Sequence, residues 1–333
     1  MFQLKEYQRR CLDELAEHFR RVNALTGVAD LPEERAFAGK PGRAAYQQVK
    51  ELPGLPYVCL RVPTGGGKTV MASHAVGVTC REYLRREVCL VFWLAPTTQI
   101  VDQTVKALVD KRHPYRLALD TAFGGRLSIM RLSDALTSLK PGDLLADTVV
   151  IVSTIQAPRV GDTEGRKVYT EDNGYMMDHF GSLKPGQLEV LDKTEAGKPA
   201  CSLANVFKLH RPVVIVDEAH NARTDLSFET LARFDPSCII EFTATPAADS
   251  NVLTSVSAAE LKAEEMIKLP VRIRALQRVE PSQPDGGRAG DGQGAEDAAR
   301  PPQAQRRPEP RLCVRDLAGV CRGRKRPDRC AGR

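Results

Sequence analysis

The run Thr64-Gly65-Gly66-Gly67-Lys68-Thr69 has the residue types that bind a nucleoside triphosphate. Glycines let backbone N–H groups turn toward phosphate oxygens, and the lysine that follows can reach the β and γ phosphates. The threonine hydroxyl after it can ligate Mg²⁺. The loop is shorter than the general GxxxxGKT pattern, because Val62 stands where that pattern has glycine. We therefore predict that residues 64–69 bind ATP and that Thr69 is a Mg²⁺ ligand.

Two carboxylates follow the apolar run Pro212–Val216, about 150 residues after the loop. Mg²⁺ takes oxygen ligands and shares them with the nucleotide, so a carboxylate leaving a buried strand beside a phosphate loop suits it. We assign that role to Asp217. The neighbouring Glu218 points the other way and can orient or deprotonate the attacking water. With Lys68, these two residues are the predicted catalytic set.

The elements that must position these groups are strands, because mostly apolar runs end repeatedly in polar residues. In an open α/β sheet, ligands bind at the carboxyl ends of parallel strands. The pattern predicts a mainly parallel sheet with helices on both faces. The predicted strands are 57–62, 88–94, 148–152, 212–216 and 238–242.

Two further segments complete the predicted domain. Apolar residues recur at steps of three and four over residues 4–22, which predicts an amphipathic helix with Gln8 in its first turns. Residues 157–200 are polar and contain several glycines, which predicts a surface insertion between two strands.

The composition limits the classes of protein to which the chain can belong. The 333 residues carry a net charge of +6, but residues 274–333 hold 14 basic and 8 acidic residues, so residues 1–273 are formally neutral. Bulk charge therefore gives no argument for nucleic acid. There is neither an 18-residue apolar run nor a signal-peptide layout, and the nine cysteines form no CxxC pair. We expect a cytoplasmic protein without a membrane segment, a disulfide framework or a zinc site.

The composition changes sharply after about residue 270. From residue 274 onward there is no Phe, Tyr, Trp, Ile, Thr, Asn, His or Met, and arginine outnumbers lysine thirteen to one. Such a segment cannot bury enough apolar surface to fold alone, so residues 271–333 are predicted to be a disordered tail. An alternative hypothesis is a shift of reading frame near Pro270, because GC-rich coding DNA translated out of phase gives this composition.

Five motifs in the same order make the chain resemble the first motor domain of superfamily 2 helicases, a RecA-like P-loop NTPase domain. Within that superfamily, the sequences around Lys68 and Asp217 are most similar to the Res subunits of type III restriction endonucleases. The resemblance covers residues 1–270, and the motifs are Val62–Thr69 (I), Ala95–Gln99 (Ia), Ser153–Gln156 (Ib), Asp217–His220 (II) and Thr243–Thr245 (III).

The resemblance implies further roles. Gln8 matches the glutamine that contacts adenine. His220, Thr243 and Thr245 match groups that couple the γ-phosphate state to closure against a second domain. Backbone contacts to DNA are implied for four hydroxyl residues that follow strands: Thr97, Thr98, Ser153 and Thr154.

The family also implies parts that this sequence does not match. Residues 271–333 contain no counterpart of the second domain's glutamine-glycine-arginine motif or of the nuclease domain. Arginine fingers raise phosphoryl-transfer rates by about 10³ to 10⁵. We therefore expect these 333 residues to bind ATP·Mg²⁺, to hydrolyse it slowly, and neither to unwind nor to cut DNA. In this family, recognition of the DNA site lies with a methyltransferase partner.

Three alternatives to a DNA helicase or translocase motor stay open. An RNA helicase would be distinguished by comparing duplex DNA and RNA as stimulators of ATP hydrolysis. A non-catalytic fragment would bind nucleotide without turnover, and Lys68→Ala would abolish that binding. A gene remnant would bind no nucleotide.

Overall fold

The computed structural model describes residues 3–38, 43–158, 167–217 and 228–266. Within these ranges, one sheet of seven strands is parallel at every neighbouring pair. The strand order β3-β4-β2-β5-β6-β1-β7 places all carboxyl ends at one edge. The strands are β1 (Tyr57–Arg61), β2 (Leu90–Ala95), β3 (Leu127–Arg131), β4 (Thr148–Thr154), β5 (Val213–Asp217), β6 (Cys238–Thr243) and β7 (Val252–Ser255).

Helices supply the crossover connections that parallel strands require. A π-helical turn at Cys80–Leu84 continues α3, and a 3₁₀ helix at Gly174–Phe180 precedes α8. The α-helices of the described ranges are α1 (Glu6–Leu25), α2 (Pro32–Ala38), α3 (Lys68–Thr79), α4 (Thr98–Val109), α5 (Pro114–Phe123), α6 (Leu132–Ser138), α7 (Pro141–Ala146), α8 (Pro185–Glu189), α9 (Leu203–His210), α10 (Phe228–Ala232) and α11 (Ala258–Ala263).

The sheet is covered on both faces because its strands are apolar on both faces. Along β2, Val91 and Trp93 belong to one apolar cluster, which includes residues of α1, α3 and α5. Phe92 and Leu94 belong to a second cluster on the opposite face, with residues of α6 and α9. This alternation follows from the two-residue period of a strand. The predicted α/β fold, with a mainly parallel sheet and helices on both faces, is confirmed.

The strands that the sequence predicted are the most deeply buried ones. All six residues of β2 and all six of β6 are buried. Two strands were missed. Ser128 and Arg131 interrupt the apolar pattern of β3, which is only half-buried along its length. The other, β7, has four residues, and its pairing with β1 shifts register between Cys59 and Leu60.

The segment between β4 and β5 packs against the domain through a few apolar side chains. Its described part, residues 167–200, buries Val168 and Met176 completely, and both belong to the second apolar cluster. Asn173 donates from Nδ2 to the Leu136 carbonyl at 2.9 Å, which ties the segment to α6. The polar composition of this segment did not predict that Val168 and Met176 would be buried against the domain.

Several predicted features fall outside the described residues: the tail 271–333, Glu218 and His220. Among the helices that the structure describes, none combines the length and the apolar character needed to cross a membrane.

Candidate functional site

The glycine run forms a tight loop between β1 and α3. Gly65 and Gly67 have φ angles of +84° and +77°, which glycine adopts without the strain that a Cβ would cause. The Gly66 N–H donates to the Pro63 carbonyl at 3.0 Å, which closes a turn. Helix α3 then begins at Lys68, and its N-cap residue is Gly67, which has no side chain to cap the first N–H groups. A helix start of this kind attracts anions.

Close packing explains why the middle of the loop also requires glycine. A Cβ on Gly66 would lie 2.6 Å from Val62 Cγ1 and 3.0 Å from the Pro63 carbonyl oxygen. A Cβ on Gly67 would lie 2.6 Å from Gln8 Nε2. The loop therefore has no room for a side chain at Gly66 or Gly67, and its backbone there is the surface that a ligand would meet.

The lysine, the threonine and the aspartate predicted from the sequence lie at the same edge of the sheet. Lys68 is 5% exposed and Asp217, the last residue of β5, is 2% exposed. The Tyr115 hydroxyl lies beside the Thr69 side chain. Burial raises the pKa of Tyr115, Thr69 opposes that rise, and the nearby charge of Asp217 adds to it. Tyr115 thus touches one predicted Mg²⁺ ligand and is electrostatically coupled to the other.

Thr243, at the end of β6, connects the predicted coupling motif to the phosphate loop. Its carbonyl accepts from the Val62 N–H at 2.9 Å, and its Oγ1 accepts from the Thr245 N–H at 3.2 Å. Thr243 is fully buried, whereas Thr245 is exposed. These two hydrogen bonds join Val62, which precedes the phosphate loop, to the turn that contains Thr245.

The four predicted DNA-contacting residues lie at the carboxyl ends of two adjacent strands, β2 and β4. Register places Ala95 beside Thr154, so the loops after β2 and β4 are neighbours at the carboxyl edge. Thr97 Oγ1 accepts from the Ile100 N–H and Thr154 Oγ1 accepts from the Ala157 N–H. Neither hydroxyl donates to another of the residues that the structure describes. Thr98 is exposed as well.

Ser153 differs from the other three. It is 3% exposed, and its hydroxyl donates to the Thr154 carbonyl at 3.0 Å. This geometry places the Ser153 side chain inside the domain and uses its only proton there. The reason is that Ser153 lies within β4, whose first six residues are all buried, whereas Thr154 ends the strand and is half-buried.

Two tyrosines belong to the site although the sequence did not single them out for it. The Tyr7 hydroxyl donates to the Gly66 carbonyl at 2.8 Å, and Gln8 Nε2 donates to the same oxygen at 3.1 Å. Tyr115 comes from the start of α5. The Tyr7-Gln8 pair was a usable signal for the first, but nothing in the local sequence around Tyr115 indicates that α5 packs beside α3.

The last described segment also lies against the phosphate loop. Leu261 of α11 is buried and would be 3.4 Å from a Cβ on Gly66, and the Met266 carbonyl lies near Gly65. The Glu264 carboxylate accepts from the Glu6 N–H at 3.0 Å, which joins this segment to the start of α1. The loop is therefore bordered by α1 on one side and by the segment after β7 on another.

These residues fit the ATP and Mg²⁺ that the motifs imply. The cradle is one that a Cβ would fill, and a helix start, an ammonium group, a hydroxyl and a carboxylate surround it. This donor set is that of a triphosphate with a hard cation. Glu218 and His220 stay predictions, because residues 218–227 lie outside the described ranges.

The sheet, the glycine loop and the acidic strand end define a RecA-like P-loop domain of helicase superfamily 2. The family model described as type III restriction enzyme, res subunit, matches residues 1–248. The chain belongs to this family, whose members are helicase-type, ATP-dependent motors. The resemblance recognised from the motifs is thereby confirmed. A comparison with curated proteins finds no match.

Proposed function

We propose that residues 1–270 are the first domain of a motor that couples ATP hydrolysis to movement along duplex DNA, and that they bind ATP with Mg²⁺ at Thr64–Thr69. The observation that carries the proposal is the glycine cradle, bordered by the buried Lys68 and with Asp217 at the same edge of the sheet. An ammonium, a threonine hydroxyl and a carboxylate beside a glycine loop are the groups that hold a triphosphate and Mg²⁺.

Each residue has a distinct part in the proposed reaction. The Lys68 ammonium holds β- and γ-phosphate oxygens, and loop N–H groups hold the others. Thr69 and Asp217 hold Mg²⁺, which neutralises charge on the phosphates when bound. Glu218 is the proposed base that takes a proton from the attacking water.

Coupling and DNA contact use the neighbouring strand ends. His220, Thr243 and Thr245 are proposed to transmit the γ-phosphate state, and the bond between Thr243 and Val62 supports this role for Thr243. Hydroxyl groups bind a DNA backbone without recognising sequence, which suits a motor that moves along any sequence. A DNA methyltransferase subunit is the proposed partner that selects the site.

Calorimetric titration of the 333-residue chain with ATP and Mg²⁺ tests the nucleotide site. We expect Lys68→Ala to weaken binding by about ten- to a hundredfold, because a charge-assisted contact to phosphate is lost. Lys198→Ala is the matched control, since Lys198 is exposed and distant in sequence from the motifs. Equal affinity of Lys68→Ala and the parent chain would refute the assignment.

Fluorescence anisotropy with duplex DNA and duplex RNA tests the second substrate. We expect the double variant Thr97→Ala/Thr154→Ala to bind DNA several-fold more weakly, because two hydroxyl contacts are removed. Thr194→Ala, in the segment between β4 and β5, is the control. Tighter binding to duplex RNA than to DNA would favour an RNA helicase instead.

A further inference from the structure

Two cysteines lie together at the amino edge of the sheet, the edge opposite the phosphate loop. Cys80 follows α3 and begins the π-helical turn, and Cys89 stands one residue before β2. Both are free thiols and belong to the first apolar cluster. The chain between them folds back on Cys80, because the Arg86 N–H donates to the Cys80 carbonyl and the Cys80 thiol donates to the Arg86 carbonyl, each at 3.1 Å. The Cys89 thiol lies beside that of Cys80.

A cavity of about 200 Å³ is lined by Cys80. Its other charged walls are three arginines and one glutamate, namely Arg81, Arg86, Arg126 and Glu87. The cavity admits small polar molecules, but it is below the volume of about 300 Å³ at which pockets for larger organic ligands begin. The excess of guanidinium groups favours negative charge inside it. A small oxidant can therefore meet the Cys80 sulfur in a positive environment, although this residue is only 1% exposed.

The two thiols differ in their readiness to ionise. The pKa of Cys80 lies below the ordinary value of a thiol, first because Cys89 stands beside it; burial opposes this, and the charges of Arg86 and Arg81 support it. The pKa of Cys89 lies well above the ordinary value, because Cys80 is its neighbour and because it is buried. The thiolate is the form that attacks an oxidant. The pair therefore has one reactive thiol and one that stays protonated, as an attacking and a resolving cysteine do.

We propose that Cys80 and Cys89 form a peroxide-sensitive dithiol site, with Cys80 as the attacking thiol and Cys89 as the resolving one. The Cys80 thiolate attacks one oxygen of hydrogen peroxide and the O–O bond breaks. The hydroxide that leaves takes up the proton that Cys80 released, which gives water and a sulfenic acid on Cys80. This site is separate from the proposed nucleotide site and does not depend on it.

The second step forms the disulfide. The Cys89 sulfur attacks the Cys80 sulfur, the S–S bond forms and the S–O bond breaks. The hydroxide that leaves takes the proton of the Cys89 thiol and becomes water. Two thiols and one peroxide thus give one disulfide and two waters, and two electrons pass from sulfur to oxygen. The new bond joins the end of α3 to the start of β2, and a thiol reductant reverses it.

Peroxide treatment of the full 333-residue chain, followed by tryptic peptide mapping, tests the proposal. Trypsin places the two cysteines in separate peptides, residues 69–81 and 87–106, and each peptide has a single cysteine. We expect these two peptides to be linked by a disulfide after mild peroxide treatment and to separate again after reduction with dithiothreitol. Linkage of Cys80 to any other cysteine, or a sulfenic acid on Cys80 that never converts to this disulfide, overturns the pairing.

Cys201 is the internal reference for the rate. It is half-buried, and burial raises the pKa of its thiol. Dimedone, which traps sulfenic acids, should therefore show oxidation of Cys80 several-fold faster than that of Cys201, because the rate follows the thiolate fraction. The advantage of Cys80 should vanish in urea, where the turn is unfolded. Equal rates in the folded chain, or an advantage that persists in urea, overturn the assignment to this site.

Single substitutions separate the two roles. Cys89→Ser should stop the reaction at the sulfenic acid of Cys80, whereas Cys80→Ser should leave Cys89 unmodified under the same conditions. Cys201→Ser is the matched control and should form the disulfide between Cys80 and Cys89 at the rate of the parent chain. Thermal melting shows which variants are folded, and Cys80→Ala replaces Cys80→Ser if the latter is not. Oxidation of Cys89 in a folded chain without the Cys80 thiol overturns the order of attack.

Discussion

At the scale of residues, the glycines of the loop have separate physical functions. Gly65 and Gly67 adopt positive φ angles, whereas Gly66 is required because Val62 and Pro63 occupy the space of a side chain. A substitution at Gly66 therefore acts through sterics and not through backbone preference. This distinction gives a direct test of the loop.

We predict that Gly66→Ala weakens ATP affinity by tenfold or more and lowers the free energy of unfolding by about 1–3 kcal/mol, because the loop must shift to admit a Cβ. Calorimetric titration and urea unfolding measure the two effects. Gly142→Ala in α7 is the control, since nothing lies within 4 Å of its Cβ position and alanine is favoured in helices. Unchanged ATP binding in Gly66→Ala would contradict the packing argument.

The sequence predicted the residues of the site that are adjacent in the chain or that follow strands. Lys68, Thr69 and Asp217 were identified because a glycine run and a strand end are local patterns. Tyr115 was missed because its place depends on how α5 packs against α3. The hydrogen bonds of Tyr7 and Gln8 to the Gly66 carbonyl were missed for the same reason, since they join positions 59 and 58 residues apart.

At the scale of elements, the central strands carry the fold because they are buried on both faces. Phe92 of β2 shows how a strand fixes its neighbours. Its ring lies 5.0 Å from that of Phe207 in α9 and 5.7 Å from that of Phe234. The three rings therefore join β2 to α9 and to the segment after α10, both of which are distant from β2 in the sequence.

We predict that Phe92→Ala lowers the free energy of unfolding by about 3–5 kcal/mol, because removing a buried ring leaves a cavity among rigid neighbours. Urea denaturation with a shared m-value measures the change. Val109→Ala, at the exposed end of α4, should stay within about 0.5 kcal/mol of the parent chain. A loss below 1 kcal/mol for Phe92→Ala would show that the surrounding rings close the cavity.

The strands that could be predicted are those whose burial on both faces gives a continuous apolar run in the sequence. Continuous apolar runs identified β2, β4, β5 and β6, whereas the half-buried edge strand β3 has no such run. The order of strands across the sheet was not predictable, because it depends on which crossovers pack together. That order decides which loops meet at the carboxyl edge.

At the scale of the whole molecule, stability should depend on pH through His18. This side chain lies between α1 and α2, with its ring 5.7 Å from that of Phe19 and 6.3 Å from that of Phe37. Burial, and then the charge of Arg43, lowers the pKa of His18 to about 4. An unfolded histidine has a pKa of about 6.5. The unfolded chain therefore binds more protons between these values.

We predict that this stabilisation is fully present above about pH 6.5 and is lost as pH falls toward 4, by up to about 3 kcal/mol. Burial also lowers the pKa of His210 to about 4, so it contributes in the same direction. Urea unfolding at pH 7 and pH 4.5 measures the loss. His18→Leu should reduce the difference between the two pH values, and an unchanged difference would contradict the role of His18.

The strand order also determines when β1 can pair while the chain is being synthesised. The strand that leads into the phosphate loop pairs Tyr57 with Ile239, and its other neighbour is β7. Both partners are made about 180 residues later, which takes a ribosome about 10–40 seconds at ordinary rates of synthesis. Throughout that interval β1 is an apolar strand with two open edges, of the kind that chaperones bind. The residues of the phosphate loop are therefore synthesised early, but the strand that leads into the loop pairs with its neighbours only after β6 and β7 have been made.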